Sequence, residues 1–318
     1  MAQNVTIVGI DIAKEKVDAA IRSTAARQTF ANTAEGRREL VRWLDRHRVG
    51  KAVMEASGGY ESGWVKVLHA AGIEVRIVDP KRVRYFAKSA GRLAKSDPID
   101  AETIAWFAEA FAEAPARAHD EHREELDRLV SARTALKGWQ ARLTSYGEHQ
   151  QPAEVRKAHR AIDKTVAAQL ARLEAVIAAK IEQTAEFARR AEIIESVPGL
   201  AAGSAAGLIA FLPELGGVSD KAIAALVGVA PYDDDSGKHR GRRFIKGGRR
   251  KLRNLLYLPI VGAATRCNPV LKAYYRRLIA KGKPPKVALI ACMRKLITIL
   301  NTMIARGEKW DPTRHALA

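Results

Sequence analysis

Along the first 115 residues the apolar positions switch between the strand period and the helix period. Val5 to Ile10 is a β-branched run ending in Asp11, Lys16 to Ile21 can return as its hairpin partner, and Gln28 to Ala31 can add a third strand. After Asn32 the period becomes helical, with Leu40, Val41 and Leu44 on one face. Ala52 to Met54 and Val75 to Val78 then read as short buried strands separated by a helix over Gly63 to Ala71. A hairpin followed by strand and helix in alternation predicts a mixed sheet with helices on its faces.

From about His119 to Arg190 there is no strand signal. Leu126, Leu129, Leu136, Trp139 and Leu143 form one narrow helical stripe, and Ile162, Val166, Leu170, Leu173, Ile177 and Ile181 form another. A break between Tyr146 and Pro152 makes these an antiparallel helical hairpin or two arms of a coiled coil, packed on their own chain or on a second copy. Next, Ile193 to Leu200 reads as a helix ending in Ser-Val-Pro-Gly-Leu. Its Pro-Gly turn is either a helix-hairpin-helix or an ordinary connection. Helices over 249–265, 269–280 and 284–305 follow. The division expected is 1–117, 118–190 and 191–318, an α/β part followed by all-α parts.

Composition adds a direction. With 318 residues and 47% apolar content the chain can bury more than one core. Its 54 Lys and Arg against 35 Asp and Glu give +19. The sum over 1–237 is zero, so the excess lies entirely between Lys238 and Ala318, where Glu308 and Asp311 are the sole acids. Such asymmetry suggests a polyanionic partner. No apolar stretch looks long enough to cross a bilayer, so a cytoplasmic protein without membrane contact is expected. Cys267 and Cys292, without a CxxC, exclude a disulfide framework and are expected to be buried and inert.

Four carboxylates stand out: Asp11 in Gly9-Ile10-Asp11-Ile12, Glu55 in Val53-Met54-Glu55-Ala56, and Asp97 and Asp100 in Ser96-Asp97-Pro98-Ile99-Asp100. The pattern of strands and helices is that of an RNase H-like domain, in which the first and fourth strands are neighbours. Asp11 and Glu55 would then meet at one edge of a cleft, and the last helix would bring Asp97 and Asp100 there on one face. Clustered carboxylates suit Mg²⁺, and two such ions can hold the attacking and leaving oxygens of a phosphodiester in line. Capping and dipole complementation explain Asp97 and Asp100 as well. A sugar kinase of actin-like fold shares the Gly-Ile-Asp-Ile start, but later glycine-rich phosphate loops are missing, which favours a nuclease-like site.

A second dense region surrounds Ser236. Between Lys238 and Arg253, nine of sixteen residues are basic, namely Lys238, Arg240, Arg242, Arg243, Lys246, Arg249, Arg250, Lys251 and Arg253, interleaved with glycines and Phe244. Glycines permit close approach to a phosphate backbone and guanidinium groups bind phosphate bidentately. A serine at the mouth of this segment is a candidate nucleophile, although Asp-Ser-Gly is also an ordinary turn. A further basic run, Lys81, Arg82, Arg84, Lys88, Arg92 and Lys95, carries Tyr85 and Phe86 and is either a solvated helix face or a nucleic-acid stripe.

In order along the chain stand Gly9-Ile10-Asp11-Ile12-Ala13-Lys14-Glu15-Lys16, Met54-Glu55-Ala56-Ser57-Gly58-Gly59-Tyr60, Lys95 to Ala101, Ser196 to Leu200, and Gly228-Val229-Ala230-Pro231 followed by Asp235-Ser236-Gly237 and Lys246-Gly247-Gly248-Arg249. Together these resemble the DEDD transposases of the insertion sequence 110 family. The resemblance implies a RuvC-like first domain and a separate transposase domain; the stripes above place a coiled-coil arm between them, and the helices expected after 190 make the transposase domain mostly helical. The resemblance makes Asp11, Glu55, Asp97 and Asp100 ligands of Mg²⁺ and Ser236 a nucleophile that becomes linked to a DNA 5′-phosphate. It further implies donor and target DNA, a noncoding guide RNA, and a homodimer or dimer of dimers with sites completed between protomers. The alternatives are a hydrolytic RuvC-like nuclease and a non-catalytic RNA- or DNA-binding scaffold. One local departure is the run Asp233-Asp234-Asp235 before the serine.

Overall fold

The structure, a computed structural model, describes residues 5–92, 97–111, 120–147, 152–236, 241 and 243–315, with the backbone alone at 97–99 and 315. Lys95, Lys238, Arg240 and Arg242, the side chain of Asp97 and the 117/118 boundary lie outside these residues. The chain divides into two compact units, Met1–His119 and Asp120–Ala318.

In the first unit β1 (Thr6–Ile12), β2 (Lys16–Ile21), β3 (Ala26–Ala31), β4 (Val49–Glu55) and β5 (Glu74–Val78) form one sheet in the order β3-β2-β1-β4-β5. β2 runs antiparallel to β1 and β3, whereas β4 is parallel to β1 and β5, as expected for an RNase H-like domain. Even-numbered residues of β1 (Val8, Ile10, Ile12) pack with α1 (Ala34–Arg46) and α2 (Ser62–Ala70) around Trp43 and Trp64. The opposite face carries Ile7 and Val53 against α3 (Pro80–Ser89) and α4 (Asp97–Ala110), through Val83, Ile104 and Phe107. Each of these large side chains contributes about 1.5–3 kcal/mol on burial. Asp79 caps α3 by accepting from the Lys81 amide at 2.8 Å, with Pro80 at the first helical position.

The second unit begins with a hairpin of α5 (Glu121–Gly147) and α6 (Ala153–Gln183). Contacts of Arg133 with Glu174 (3.0 Å), Gln140 with Asp163 (3.2 Å) and Tyr146 with His159 set the helices antiparallel. Leu126, Val130, Ile177 and Ile181 join the core of α7 (Ala185–Glu195), α8 (Ala202–Phe211) and α9 (Asp220–Val227). Among the described residues none from 131 to 147 or from 153 to 169 is buried, and Trp139 is 56% exposed. Only the base of the expected stripe is therefore a core seam.

After the two-residue strands β6 (Pro231–Tyr232) and β7 (Phe244–Ile245) come α10 (Arg250–Gly262), α11 (Pro269–Ala280), α12 (Pro285–Arg306) and α13 (Pro312–His315). The helix expected over 249–265 ends at Gly262 and widens into a π turn, Ala263–Cys267. That turn leaves Cys267 exposed, against expectation, whereas Cys292 is buried and its thiol is pushed up to about 11 by desolvation. The Pro198-Gly199 turn packs on the same π turn, with a Cβ on Gly199 falling 2.7 Å from that of Ala263. α12 also corrects the sequence expectation. It is long and apolar enough to cross a bilayer by length and composition, but it serves as the central core helix, burying Leu289, Cys292, Met293, Leu296, Ile297 and Leu300.

Candidate active site

The carboxylate site follows from sheet register. Ile10 pairs with Met54 on β4, so the next residues, Asp11 and Glu55, stand side by side on parallel neighbours at the carboxyl end of the sheet. Strand alternation turns both away from the tryptophan core and toward the α4 face. α4 can lie on β1 because position 9 is glycine. A Cβ there would come 2.1 Å from the Ala101 carbonyl oxygen and 2.5 Å from the Ala105 amide nitrogen. Asp100 directly precedes Ala101, so this close approach sets the first turn of α4 beside the end of β1. Glu102, two residues after Asp100, ties α4 down through Arg92 at 2.9 Å and through Arg27. The Arg92 hydrogen bond, helped by the charges of Arg92, Arg27 and Arg22 and opposed by burial, holds the Glu102 carboxyl below the usual range.

Three residues that shape this site escaped the sequence reading. Asp18 sits directly across from Asp11 on β2, on the same face, and is buried with 6% exposure. It accepts from the Thr29 hydroxyl and pairs with Lys16 at 3.2 Å, so its charge is compensated locally. The signal for it was the predicted hairpin, whose register around a short turn sets residues 11 and 18 opposite. Asn32 stitches the turn after β1 to α2, donating to the Ala13 carbonyl and accepting from the Trp64 indole, each at 2.9 Å. Glu61 closes the loop that follows Glu55, accepting from the Ser57 amide (3.1 Å) and hydroxyl (2.5 Å) and the Gly59 amide (2.9 Å). Although burial opposes ionisation, these bonds outweigh it and hold the Glu61 carboxyl below its ordinary value.

On α3, Lys81, Tyr85 and Lys88 form an exposed stripe. Arg82 lies over the Phe107 ring and Arg92 over the Trp106 ring, at 5.4 and 5.0 Å from the centroids. Arg84 is half-buried on the same helix.

In the second unit the serine rides on an exposed hairpin. Pro231 pairs with Ile245 and Tyr232 with Phe244, and every residue from Pro231 to Ser236 is exposed. The base of this hairpin is fixed by glycines. A Cβ on Gly248 would strike the Gly228 backbone at 2.3 Å, so the Gly228-Val229-Ala230-Pro231 and Lys246-Gly247-Gly248-Arg249 segments press together. Arg253 donates to the Gly247 carbonyl at 2.5 Å, and Arg249 forks onto both oxygens of Glu214 at 2.6 Å. The aspartates preceding Ser236 meet the basic strand. Asp233 pairs with Arg243 at 2.5 Å, Asp234 with Lys246 at 3.9 Å, and Asp235 accepts from the Gly241 amide at 3.0 Å. Arg250 is exposed at the start of α10.

Comparison with known proteins decides the family. A DEDD transposase profile of IS110 type matches residues 8–146, and the profile described as Transposase IS116/IS110/IS902 family matches residues 191–276. The chain belongs to the IS110 family of transposases. It is 28% identical over 333 aligned positions to the pilin gene-inverting protein of Moraxella bovis, covering 98% of this chain and 99% of that one. An insertion element IS116 protein of 44.8 kDa from Streptomyces clavuligerus is 32% identical over 139 positions, 42% of this chain and 34% of that one. A structure titled T. thermophilus RuvC in complex with Holliday junction substrate aligns at a TM-score of 0.28 and 14% identity, over 35% of this chain and 99% of that one.

As a transposase the protein is a DNA recombination enzyme. Its Gly9-Ile10-Asp11 and Met54-Glu55 pieces lie on β1 and β4, and Asp97-Pro98-Ile99-Asp100 opens α4. Among the described residues no group of three or more metal-ligating side chains comes within range of a single ion, and the Asp97 side chain lies outside them. The register nevertheless sets Asp11 and Glu55 on neighbouring strands, with Asp100 in the first turn of the helix packed on Gly9, and all three are oxygen donors of the kind a hard divalent cation takes.

Proposed function

We propose that this transposase cuts and rejoins DNA through a phosphoserine on Ser236, with Asp11, Glu55, Asp97 and Asp100 holding two Mg²⁺ ions. When bound, Mg²⁺ supplies charge neutralisation at the scissile phosphate and the leaving oxygen. The Ser236 Oγ attacks phosphorus, a Ser–O–P bond forms, and the P–O3′ bond breaks with the proton passing to the departing 3′-oxygen. A later 3′-hydroxyl attacks the phosphoserine and restores the serine, so the energy of the broken diester is retained and no nucleotide hydrolysis is needed.

The observation that carries this reading is the placement of Ser236 on an exposed hairpin whose cations rest on replaceable partners. Arg243, Lys246, Asp233 and Asp234 are each more than 60% exposed in their side chains, where such pairs are worth at most about 1 kcal/mol. An incoming phosphodiester can take the cations from the aspartates, so Asp233 and Asp234 act as placeholders for the phosphate. Lys238, Arg240, Arg242 and Arg250, and independently the α3 stripe, are proposed contacts for donor and target DNA and for an element-encoded guide RNA. A homodimer or dimer of dimers would let the carboxylates of one protomer serve the serine of another.

The test is to trap a denaturation-resistant protein–DNA adduct on element-end DNA with Mg²⁺. The adduct is expected with the native chain and lost with Ser236→Ala. Cleavage without any adduct would establish the hydrolytic nuclease, and unchanged processing by both Ser236→Ala and Asp11→Ala would leave a scaffold.

A further inference from the structure

The serine hairpin carries an aromatic pair that its ion pairs do not explain. Tyr232 on β6 stands directly opposite Phe244 on β7, so strand pairing puts both rings on one face of the ladder. Tyr232 is 44% and Phe244 56% exposed, and neither belongs to the core of the second unit. A cross-strand aromatic pair does help to hold a ladder together. That help does not require half of each residue to face solvent, and the hairpin base is already fixed by the Gly228–Gly248 contact and by Arg253 on the Gly247 carbonyl. Cations bracket the apolar strand: Arg243 precedes Phe244 and Lys246 follows Ile245, and both rest on exposed aspartates. Tyr232 comes four residues before Ser236, at most about 14 Å of extended chain, a span of about four stacked nucleotides.

We infer that Tyr232 and Phe244 form a stacking platform for one unpaired base of the DNA strand that Ser236 attacks, with Arg243 and Lys246 on the flanking phosphates. The inference rests on the phosphoserine reading and deepens it by naming what positions the strand. Exposed rings between cations match the two chemistries of a single strand, its base faces and its phosphates. A duplex keeps its base faces stacked on one another, so only an unpaired base offers a face to the rings. Every base has such a face, and the platform therefore grips a strand without reading its sequence. The whole net charge of +19 lies from Lys238 onward, which favours a polyanion over an apolar protein segment as the occupant. Holding one base limits the travel of the adjoining phosphate beside the Ser236 hydroxyl, which the exposed hairpin alone does not do.

The experiment uses the native full chain without divalent metal and measures binding of oligothymidylate, of an abasic deoxyribose strand of equal length, and of oligouridylate. Thymidylate should bind about tenfold more tightly than the abasic strand, which keeps the phosphates and lacks the bases. Tyr232→Leu with Phe244→Leu keeps apolar bulk but removes the ring faces, and should bring that ratio to about one with abasic affinity unchanged. Exchanging the rings, as Tyr232→Phe with Phe244→Tyr, should preserve the ratio. Arg243→Gln with Lys246→Gln should also preserve it, while flattening the salt dependence for both strands by about 0.7 in slope for each contact removed. With Mg²⁺ and element-end DNA, the leucine variant should lower adduct yield about tenfold. An unchanged ratio in the leucine variant, with a thermal midpoint matching the native chain, would overturn the inference, as would loss of the ratio on exchanging the rings. Equal loss on thymidylate and abasic strands would mark a structural role, and tighter uridylate binding that the leucine change abolishes would mark an RNA site; either overturns it. Full adduct yield from the leucine variant would take the base off the reacting strand. No adduct from the native chain would instead overturn the phosphoserine reading and, with it, the placement on that strand, whereas an absent ratio in the native chain would overturn the platform alone.

Discussion

The carboxylate face and the serine hairpin are held in opposite ways. Asp11 and Glu55 stand on paired inner strands backed by a fully buried core, and the helix bearing Asp100 is pressed onto Gly9 with no room for a methyl group. Ser236 follows a two-residue strand, is exposed with all its neighbours since Pro231, and keeps its place through exposed ion pairs and one carboxylate–amide bond. A site that must keep like charges together needs a rigid frame, because repulsion would otherwise spread them. A serine proposed to attack DNA gains from local freedom, and here the rigidity stops at the glycine contacts below the hairpin.

Several changes would break or sharpen this contrast. The largest effects should be chemical. Asp11→Asn and Ser236→Ala should each lower strand transfer by about three orders of magnitude or more while leaving the thermal midpoint within about 3 °C. Unfolding of either variant would mean that these residues are structural. Gly9→Ala should come next, since the new Cβ meets backbone atoms of α4. A loss of about 1–3 kcal/mol by denaturant titration, together with loss of activity, is expected. Its counterpart Gly247→Ala meets nothing within 4 Å but sits at φ +67°, so about 1 kcal/mol of backbone strain should be its whole cost.

Smaller effects separate the hairpin from its base. Glu214→Ala removes the fork on Arg249 and should cost about 1–2 kcal/mol, whereas Asp233→Asn should change stability by less than about 0.5 kcal/mol. The same Asp233→Asn should tighten DNA binding if the aspartate is a placeholder for phosphate. Glu61 gives a pH signature in the rigid region. Its folded-state carboxyl lies below the ordinary 4.5, so its bonds stabilise the loop above that value and are lost as pH falls through the lower folded value. The difference in thermal midpoint between native protein and Glu61→Gln should therefore shrink on going from pH 7 into that acid range.

The rigid region was the more legible in sequence. The β-branched run of β1 and the apolar runs at 52–54 and 75–78 lead directly to the sheet, and β1 pairs with β4 as the fold requires. What escaped depends on register and on packing depth. Asp18 becomes visible only once the hairpin pairing is counted residue by residue, and the grip of Glu61 on Ser57 and Gly59 arises from loop closure without periodicity. In the second unit the stripe of Trp139 and Ile162 predicts burial that this chain alone does not provide, because periodicity records an apolar face without recording its cover. Composition marked the basic segment, yet it could not separate Arg249 and Arg253, which fasten the hairpin base, from Arg243 and Lys246, which rest on exposed aspartates.

Bond formation at Ser236 is proposed to depend on the carboxylate face. Peptide mass analysis after trapping on DNA, performed on native protein and on Asp11→Asn of matched stability, tests this directly. The native chain should yield a peptide containing Ser236 with nucleotide attached, and Asp11→Asn should yield none. Undiminished attachment at Ser236 in Asp11→Asn, or attachment at another residue in the native chain, would contradict it.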